Sequence, residues 1–290
     1  MRDIDEHTIT AAVLQSMQDC RDPRLLEILS SLVTHLHGFA REVRLTESEW
    51  MQAIGFLTAA GHITDDKRQE FILLSDTLGL STLVTAQNNA KPAGCTEATV
   101  LGPFHVDGAP VFRNGDDIAN GASGEPCFVQ ATIRSLDGEP IANAQVDVWQ
   151  SDEDGFYDVQ LTGTSQAHRA RGRLFSDAAG RLHFRSILAN HYPIPHDGPV
   201  GRMLDAVGRH PWRPAHLHFI ISAAGYETLT THVFRDDDPY LDSDAVFGVR
   251  SSLVAPWHAH QAGIAPDGSV MAVPFYTLEF AFVLNPTTPA

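Results

Sequence analysis

Near Ala90 the hydrophobic period of the chain changes, and a fold built from one kind of element cannot accommodate both halves. From Thr8 to about Gln87 the apolar residues recur at the three- and four-residue spacing of amphipathic helices. Ile9, Ala12, Val13, Met17 and Cys20 form one stripe. Leu25, Ile28, Leu29, Leu32, Val33, Leu36 and Phe39 form a second, opened by Asp22 as N-cap and Pro23 at the first helical position. Thr46-Glu47-Ser48-Glu49 is a capping-box pattern leading into Trp50, Ile54 and Leu57. Thr64-Asp65-Asp66 signals the start of a further helix carrying Phe71, Leu74 and Leu78. Beyond Ala90, Pro and Gly become frequent and short alternating runs take over. Val129, Ala131 and Ile133 alternate with Gln130, Thr132 and Arg134 ahead of an Asp137-Gly138 turn, and Ala144, Val146 and Val148 repeat the pattern. Further runs follow at Arg181–Arg185, His216–Ile221, Thr228–Phe234 and Phe275–Leu284. The expected fold is mainly β: a two-sheet sandwich over 96–290, preceded by a helical region over 1–95. Between them the elements leave Asn190–Pro214, rich in Pro, Gly and His, as a long loop.

Composition narrows the partners. At 43% hydrophobic and 19% charged residues the chain can bury a substantial core. Its net charge of −16 repels phosphate backbones and anionic headgroups, so neither nucleic acid nor membrane insertion is expected. Cys20, Cys95 and Cys127 are widely separated, odd in number and form no CxxC, which argues against a disulfide framework and makes a reducing cytoplasm the expected compartment. The opening Met1–Glu6 lacks the apolar core of a signal peptide. The helical stripes are either ordinary core or a surface for self-association.

The chemistry-bearing residues are few. Arg213-Pro214-Ala215-His216-Leu217-His218 places two imidazoles two residues apart, on one face if the segment is a strand. Such a pair either ligates a metal or is satisfied by backbone carbonyls. Two of the five tyrosines have unusual settings. Tyr157 follows Asp154-Gly155-Phe156 in a turn leaving a strand, and Tyr192 sits in His191-Tyr192-Pro193-Ile194-Pro195, where prolines hold the backbone extended. Each is either aimed at a site or packed.

Taken together, Val148-Trp149-Gln150, Asp154-Gly155-Phe156-Tyr157, His191-Tyr192-Pro193-Ile194-Pro195 and Arg213-Pro214-Ala215-His216-Leu217-His218 resemble the intradiol ring-cleaving dioxygenases in order and spacing. The resemblance covers about half of the chain, between Leu101-Gly102-Pro103-Phe104 and Ser251-Ser252-Leu253. It implies a β-sandwich catalytic domain holding one Fe(III) through Tyr157, Tyr192, His216 and His218. Phenolate oxygens are hard anionic donors suited to that ion, whereas zinc sites take His, Cys and carboxylate. It further implies that Tyr192 departs when a catecholic substrate chelates, and that Arg213 stabilises charge developing beside the ring. The N-terminal helices look like those through which the catechol-type subgroup forms homodimers, some with a lipid in the helix-lined interface.

Within the family, Thr230-Thr231-His232-Val233-Phe234, Asp238–Val249, Leu101–Val106 and Asp197–Arg202 look like the hydroxyquinol-cleaving subgroup, since catechol-preferring relatives usually carry Gln in place of His232. That implies cleavage of benzene-1,2,4-triol by O2 to 3-hydroxy-cis,cis-muconate, the enol of maleylacetate. Leu73, Val100, Leu101, Gly102, Pro103, Phe104, Ile194, Pro195, His232 and Val246 align with substrate-binding positions. Asp76 is either the polar partner of the third hydroxyl or a solvated helix residue. Two other functions stay open: catechol or chlorocatechol cleavage, and a non-catalytic sandwich that only binds.

Overall fold

The computed structural model describes residues 2–65, 68–161 and 168–287. Its contacts divide the chain into two compact units, Met1–His62 and Ile63–Ala290. The first holds α1 (Ile9–Ser16), α2 (Pro23–Glu42) and nearly all of α3 (Glu47–Ile63). Both expected start signals work as chemistry: the Asp22 carboxylate accepts from the backbone N–H of Arg24 and Leu25, and Thr46 and Glu49 cap each other's backbone. The α2 stripe does not form a core here, since Leu25, Ile28, Leu32, Leu36 and Phe39 are each 45–57% exposed.

The second unit opens with α4 (Glu70–Thr77) and α5 (Leu80–Asn88). The start signal at 64–66 precedes α4 by several residues, and Asp66 lies outside the described residues. These two helices belong with the sandwich: Thr82 donates to the Val246 carbonyl at 3.0 Å, and Arg209 donates to the carbonyls of Thr77 and Ala245. The compact unit therefore begins before residue 96.

Then come β1 (Pro126–Ser135), β2 (Gln145–Trp149), β3 (Arg171–Phe175), β4 (Arg181–Ile187) and β5 (Tyr192–Pro193), followed by α6 (Pro199–Ala206). The chain continues through β6 (Trp212–Arg213), β7 (His216–Ser222), β8 (Leu229–Arg235), β9 (Val254–Ala255) and β10 (Trp257–His260). It ends in β11 (Gly263–Ile264), β12 (Val270–Met271) and β13 (Phe275–Leu284). One sheet runs β10-β13-β1-β4, with β1 and β13 parallel, and the other β3-β2-β7-β8-β9. Val129, Ala131, Ile133, Phe184, Leu278 and Phe282 from the first face Val146, Val148, Leu217, Phe219, Ile221 and Val233 from the second, all within one buried cluster. This is the two-sheet sandwich that the alternating runs demand.

Asn190–Pro214 is a correction. The segment is not a plain loop, for it contains β5, α6 and β6. Gly198 at the N-cap with Pro199 at the first helical position was a readable helix start. Glu70, fully buried on α4, accepts the Val200 N–H at 3.0 Å and so satisfies the first turn of α6 from outside.

Candidate metal centre

Alternation along β7 decides where the site lies. Leu217, Phe219 and Ile221 point into the sandwich, so His216 and His218 must point out of the opposite face of the five-stranded sheet. Strand register then lines up three side chains there: Trp149 on β2 pairs with His218, and His218 pairs with His232 on β8. The Trp149 indole stacks on His218 with ring centres 4.5 Å apart and planes 13° apart. Both ligating candidates are 1% exposed, and His232 is fully buried.

Loops bring in the oxygens. The Tyr157 hydroxyl lies 2.9 Å from His218 Nε2, and His216 Nε2 lies 3.1 Å from the same atom. The Tyr192 ring meets that of Tyr157 edge to face, with centres 5.2 Å apart. The two-strand ladder β5-β6 sets Tyr192 directly opposite Arg213, whose Nη1 donates to the Tyr192 hydroxyl at 3.3 Å. Gly155 has φ +82°, and a Cβ there would meet Tyr192 Cβ at 2.9 Å, so glycine lets the Tyr157 turn approach. Gly102, with φ +78°, comes as close to His218: an added Cβ would lie 3.1 Å from its Cε1. Phe104 stacks on Tyr157 at 4.5 Å.

Sequence reasoning missed the residues that brace this cluster. Asp244, buried, receives Arg213 Nε at 3.1 Å and Nη2 at 3.3 Å, and also takes the backbone N–H of Val246 and Gly248. Burial opposes its ionisation, but the Arg213 charge and these bonds hold its carboxyl below the usual range. Arg171, 2% exposed, grips Asp158 just after Tyr157 and donates to the Phe104 carbonyl at 2.8 Å. Neither acid has a recognisable sequence signal, because an ion pair between distant residues leaves none.

The expected pocket residues fare unevenly. Val100, Ile194 and Val246 are buried, as are Leu73 and Asp76 on one face of α4. Leu101 and Pro103 are exposed, while Pro195 is half-buried. His232 is a correction: its Nε2 is 2.8 Å from His218 Nδ1 and its Nδ1 is 3.0 Å from Thr99 Oγ1, so no polar atom of its ring is left for a substrate. Asp76 is no solvated residue either, since burial holds its carboxyl above the usual range despite Ser81 and the Arg213 charge.

The donors fit one cation. His218 Nε2 has a single lone pair or proton, yet it faces both Tyr157 and His216; an ion among the three satisfies all of them. Burial and the Arg213 charge push His216 down to about 3, so its imidazole is neutral and ready to ligate at neutral pH. Burial drives the Tyr157 hydroxyl upward, so only a strong Lewis acid would hold it as a phenolate. His216, His218 and His232 also form a three-histidine group among the described residues. His232, however, addresses the nitrogen of His218 that points away from Tyr157, so it backs a ligand rather than adding one.

Two stability effects follow. Asp244→Ala leaves the Arg213 guanidinium buried without its partner, and chemical denaturation should show a loss of about 3–5 kcal/mol; an unchanged midpoint would contradict the pairing. A raised carboxyl pKa means that the ionised form is the disfavoured one in the fold. That cost is absent below the ordinary value of 3.8, where both states are protonated, and grows as pH rises through the folded value. Asp76→Asn should therefore raise the unfolding temperature at pH 7 and leave it nearly unchanged in acid; equal shifts at both would refute the burial effect.

Comparisons with known proteins show the family. Residues 100–286 match the family model described as a dioxygenase, and residues 22–96 match the catechol dioxygenase N terminus. The chain is 58% identical over 287 residues to a 6-chlorohydroxyquinol 1,2-dioxygenase of Cupriavidus pinatubonensis, covering 99% of this chain and 100% of the relative. It is 50% identical to a hydroxyquinol 1,2-dioxygenase of Nocardioides simplex, covering 97% and 96%. The crystal structure of hydroxyquinol 1,2-dioxygenase from Pseudomonas putida superposes with a TM-score of 0.91 at 44% identity, over 97% of this chain and 99% of that one. The chain belongs to the intradiol ring-cleavage dioxygenases and is an enzyme of that family.

Proposed function

We propose that this enzyme opens benzene-1,2,4-triol between its adjacent hydroxyls, using O2 and one iron(III) held by Tyr157, Tyr192, His216 and His218. The observation that carries the reading is the convergence of two phenol oxygens and two imidazole nitrogens beside a buried arginine. The names of the relatives support the triol, and the 58% relative, named for the 6-chloro compound, makes a chlorinated triol the second substrate to assay. When bound, iron(III) would chelate both adjacent oxygens and draw electron density from the ring, making a ring carbon reactive toward O2.

The chain's own residues do the rest. Tyr192 is placed to take a substrate proton, with Arg213 Nη1 donating to its hydroxyl at 3.3 Å and holding it in position. Arg213 is kept charged: burial disfavours the cation, yet Asp244 and the tyrosines overcome it and raise its pKa. The same fixed guanidinium stabilises negative charge developing on the substrate, and Asp244 spares it any reorganisation. Asp76, whose charge is coupled to Arg213, offers the third hydroxyl a buried polar partner. Phe104, Val246 and Ile194 supply apolar walls that keep water out.

The two family-model spans support a sequence boundary at 95/96, whereas the contacts of the chain put α4 and α5 with the sandwich, so the helical dimerisation region proper is the part before Ile63. The exposed apolar stripe of α2 supports a homodimer, and the same surface could hold a lipid chain. Free Cys20, Cys95 and Cys127 fit a cytoplasmic protein, and no helix among the described residues is long and apolar enough to cross a membrane.

Oxygen uptake should be fastest with benzenetriol or its 6-chloro derivative and slower with catechol or chlorocatechols; faster catechol turnover would overturn the substrate assignment. Arg213→Ala should cut turnover by about 10²–10³-fold while iron stays bound, and near-normal turnover would remove it from the mechanism. Sedimentation at micromolar concentration should give a dimer, and a monomer would contradict the role of the helices.

A further inference from the structure

The two histidines of β7 are held differently at their outer ring nitrogens. His216 turns Nδ1 to the Pro214 carbonyl at 2.7 Å. A carbonyl only accepts, so His216 must carry its proton on Nδ1 and leave Nε2 with a lone pair. His218 has no such fixed acceptor. Its Nδ1 faces His232 Nε2 at 2.8 Å, and an imidazole nitrogen can either donate or accept. The ambiguity passes on, because His232 Nδ1 faces Thr99 Oγ1 at 3.0 Å, and a hydroxyl also does both.

Two complete hydrogen-bond patterns fit these atoms, and both use the same number of protons. In one, His218 Nδ1–H donates to His232 Nε2, and His232 Nδ1–H donates to Thr99 Oγ1; His218 Nε2 then presents a lone pair toward Tyr157 and His216. In the other, Thr99 donates to His232 Nδ1, His232 Nε2–H donates to His218 Nδ1, and His218 Nε2 carries a proton that blocks ligation. His218, His232 and Thr99 are 1%, 0% and 5% exposed, so water cannot substitute for any of them.

We infer that His232 is a positioning residue which, with Thr99, holds His218 in the tautomer able to ligate through a directed relay. The inference rests on the ferric reading of the site. It gives His232 a role without substrate contact. A glutamine could keep the relay, since its amide oxygen accepts from His218 and its amide nitrogen donates to Thr99. Leucine fills space but breaks the relay, and Thr99→Val removes only its far end.

The test is iron-loaded wild type, His232→Gln, His232→Leu and Thr99→Val, each compared for iron retained against a chelator and for the position of the tyrosinate-to-iron absorption band. Loss of an outer-shell partner typically costs about 10–100-fold in metal affinity, and His232→Leu should show that loss with a shifted band. Thr99→Val should move both readouts less in the same direction, while His232→Gln keeps most of the affinity. The inference is overturned if His232→Leu matches the wild type, or if glutamine loses as much as leucine, which would make the role one of shape. Should the leucine variant not fold, an unchanged Thr99→Val overturns it equally. A wild type that binds no iron would overturn the ferric reading and this inference with it; variants indistinguishable from an iron-replete wild type overturn the inference alone.

Discussion

Two imidazoles set two residues apart on a strand must share a face, and the rest of the site makes that face dry and crowded with donors. The inner side of β7 is committed to the sandwich core by Leu217, Phe219 and Ile221, which fixes His216 and His218 on the outer side. Once there, they are sealed by Trp149 in register on one flank and His232 on the other. Burial drives His218 well below its ordinary pKa and so keeps the ring neutral. The arrangement makes sense as a preformed set of neutral ligands awaiting a cation.

Charge balance follows from the same constraint. On the proposed ferric reading, two phenolates and the ion would leave a net positive centre, and the buried Arg213 would add to it unless Asp244 is ionised beside it. Asp244 does a second job with the same oxygens: it accepts the backbone N–H of Val246 and Gly248 and so folds the turn that carries them. The residue that keeps Arg213 aimed therefore also shapes the turn at Val246.

Periodicity alone located the helical region, the sandwich and the alternation on β7, because each is written in local spacing. The four candidate ligands each sat in a short constrained context, Asp154–Tyr157, His191–Pro195 and Arg213–His218, but local context left each of them open and only the family resemblance joined them into a set. Asp244, Arg171 with Asp158, and Thr99 were not legible, since each acts through a partner far along the chain. His232 was placed near the substrate because its difference from catechol-preferring relatives suggested specificity; the strand register shows that it faces His218 instead. The helix at Pro199–Ala206 had a readable start in Gly198-Pro199 that the surrounding prolines masked, and the distant Glu70 completes its first turn.

The central claim is that Tyr157 and Tyr192 ionise onto iron(III) beside His216 and His218. An optical spectrum of the purified protein, taken with its iron content, tests it most directly. One iron per chain should come with a broad visible tyrosinate-to-iron band and a red-brown colour, diminished by Tyr157→Phe. An iron-replete protein without that band, or a fully active one without iron, would contradict the account.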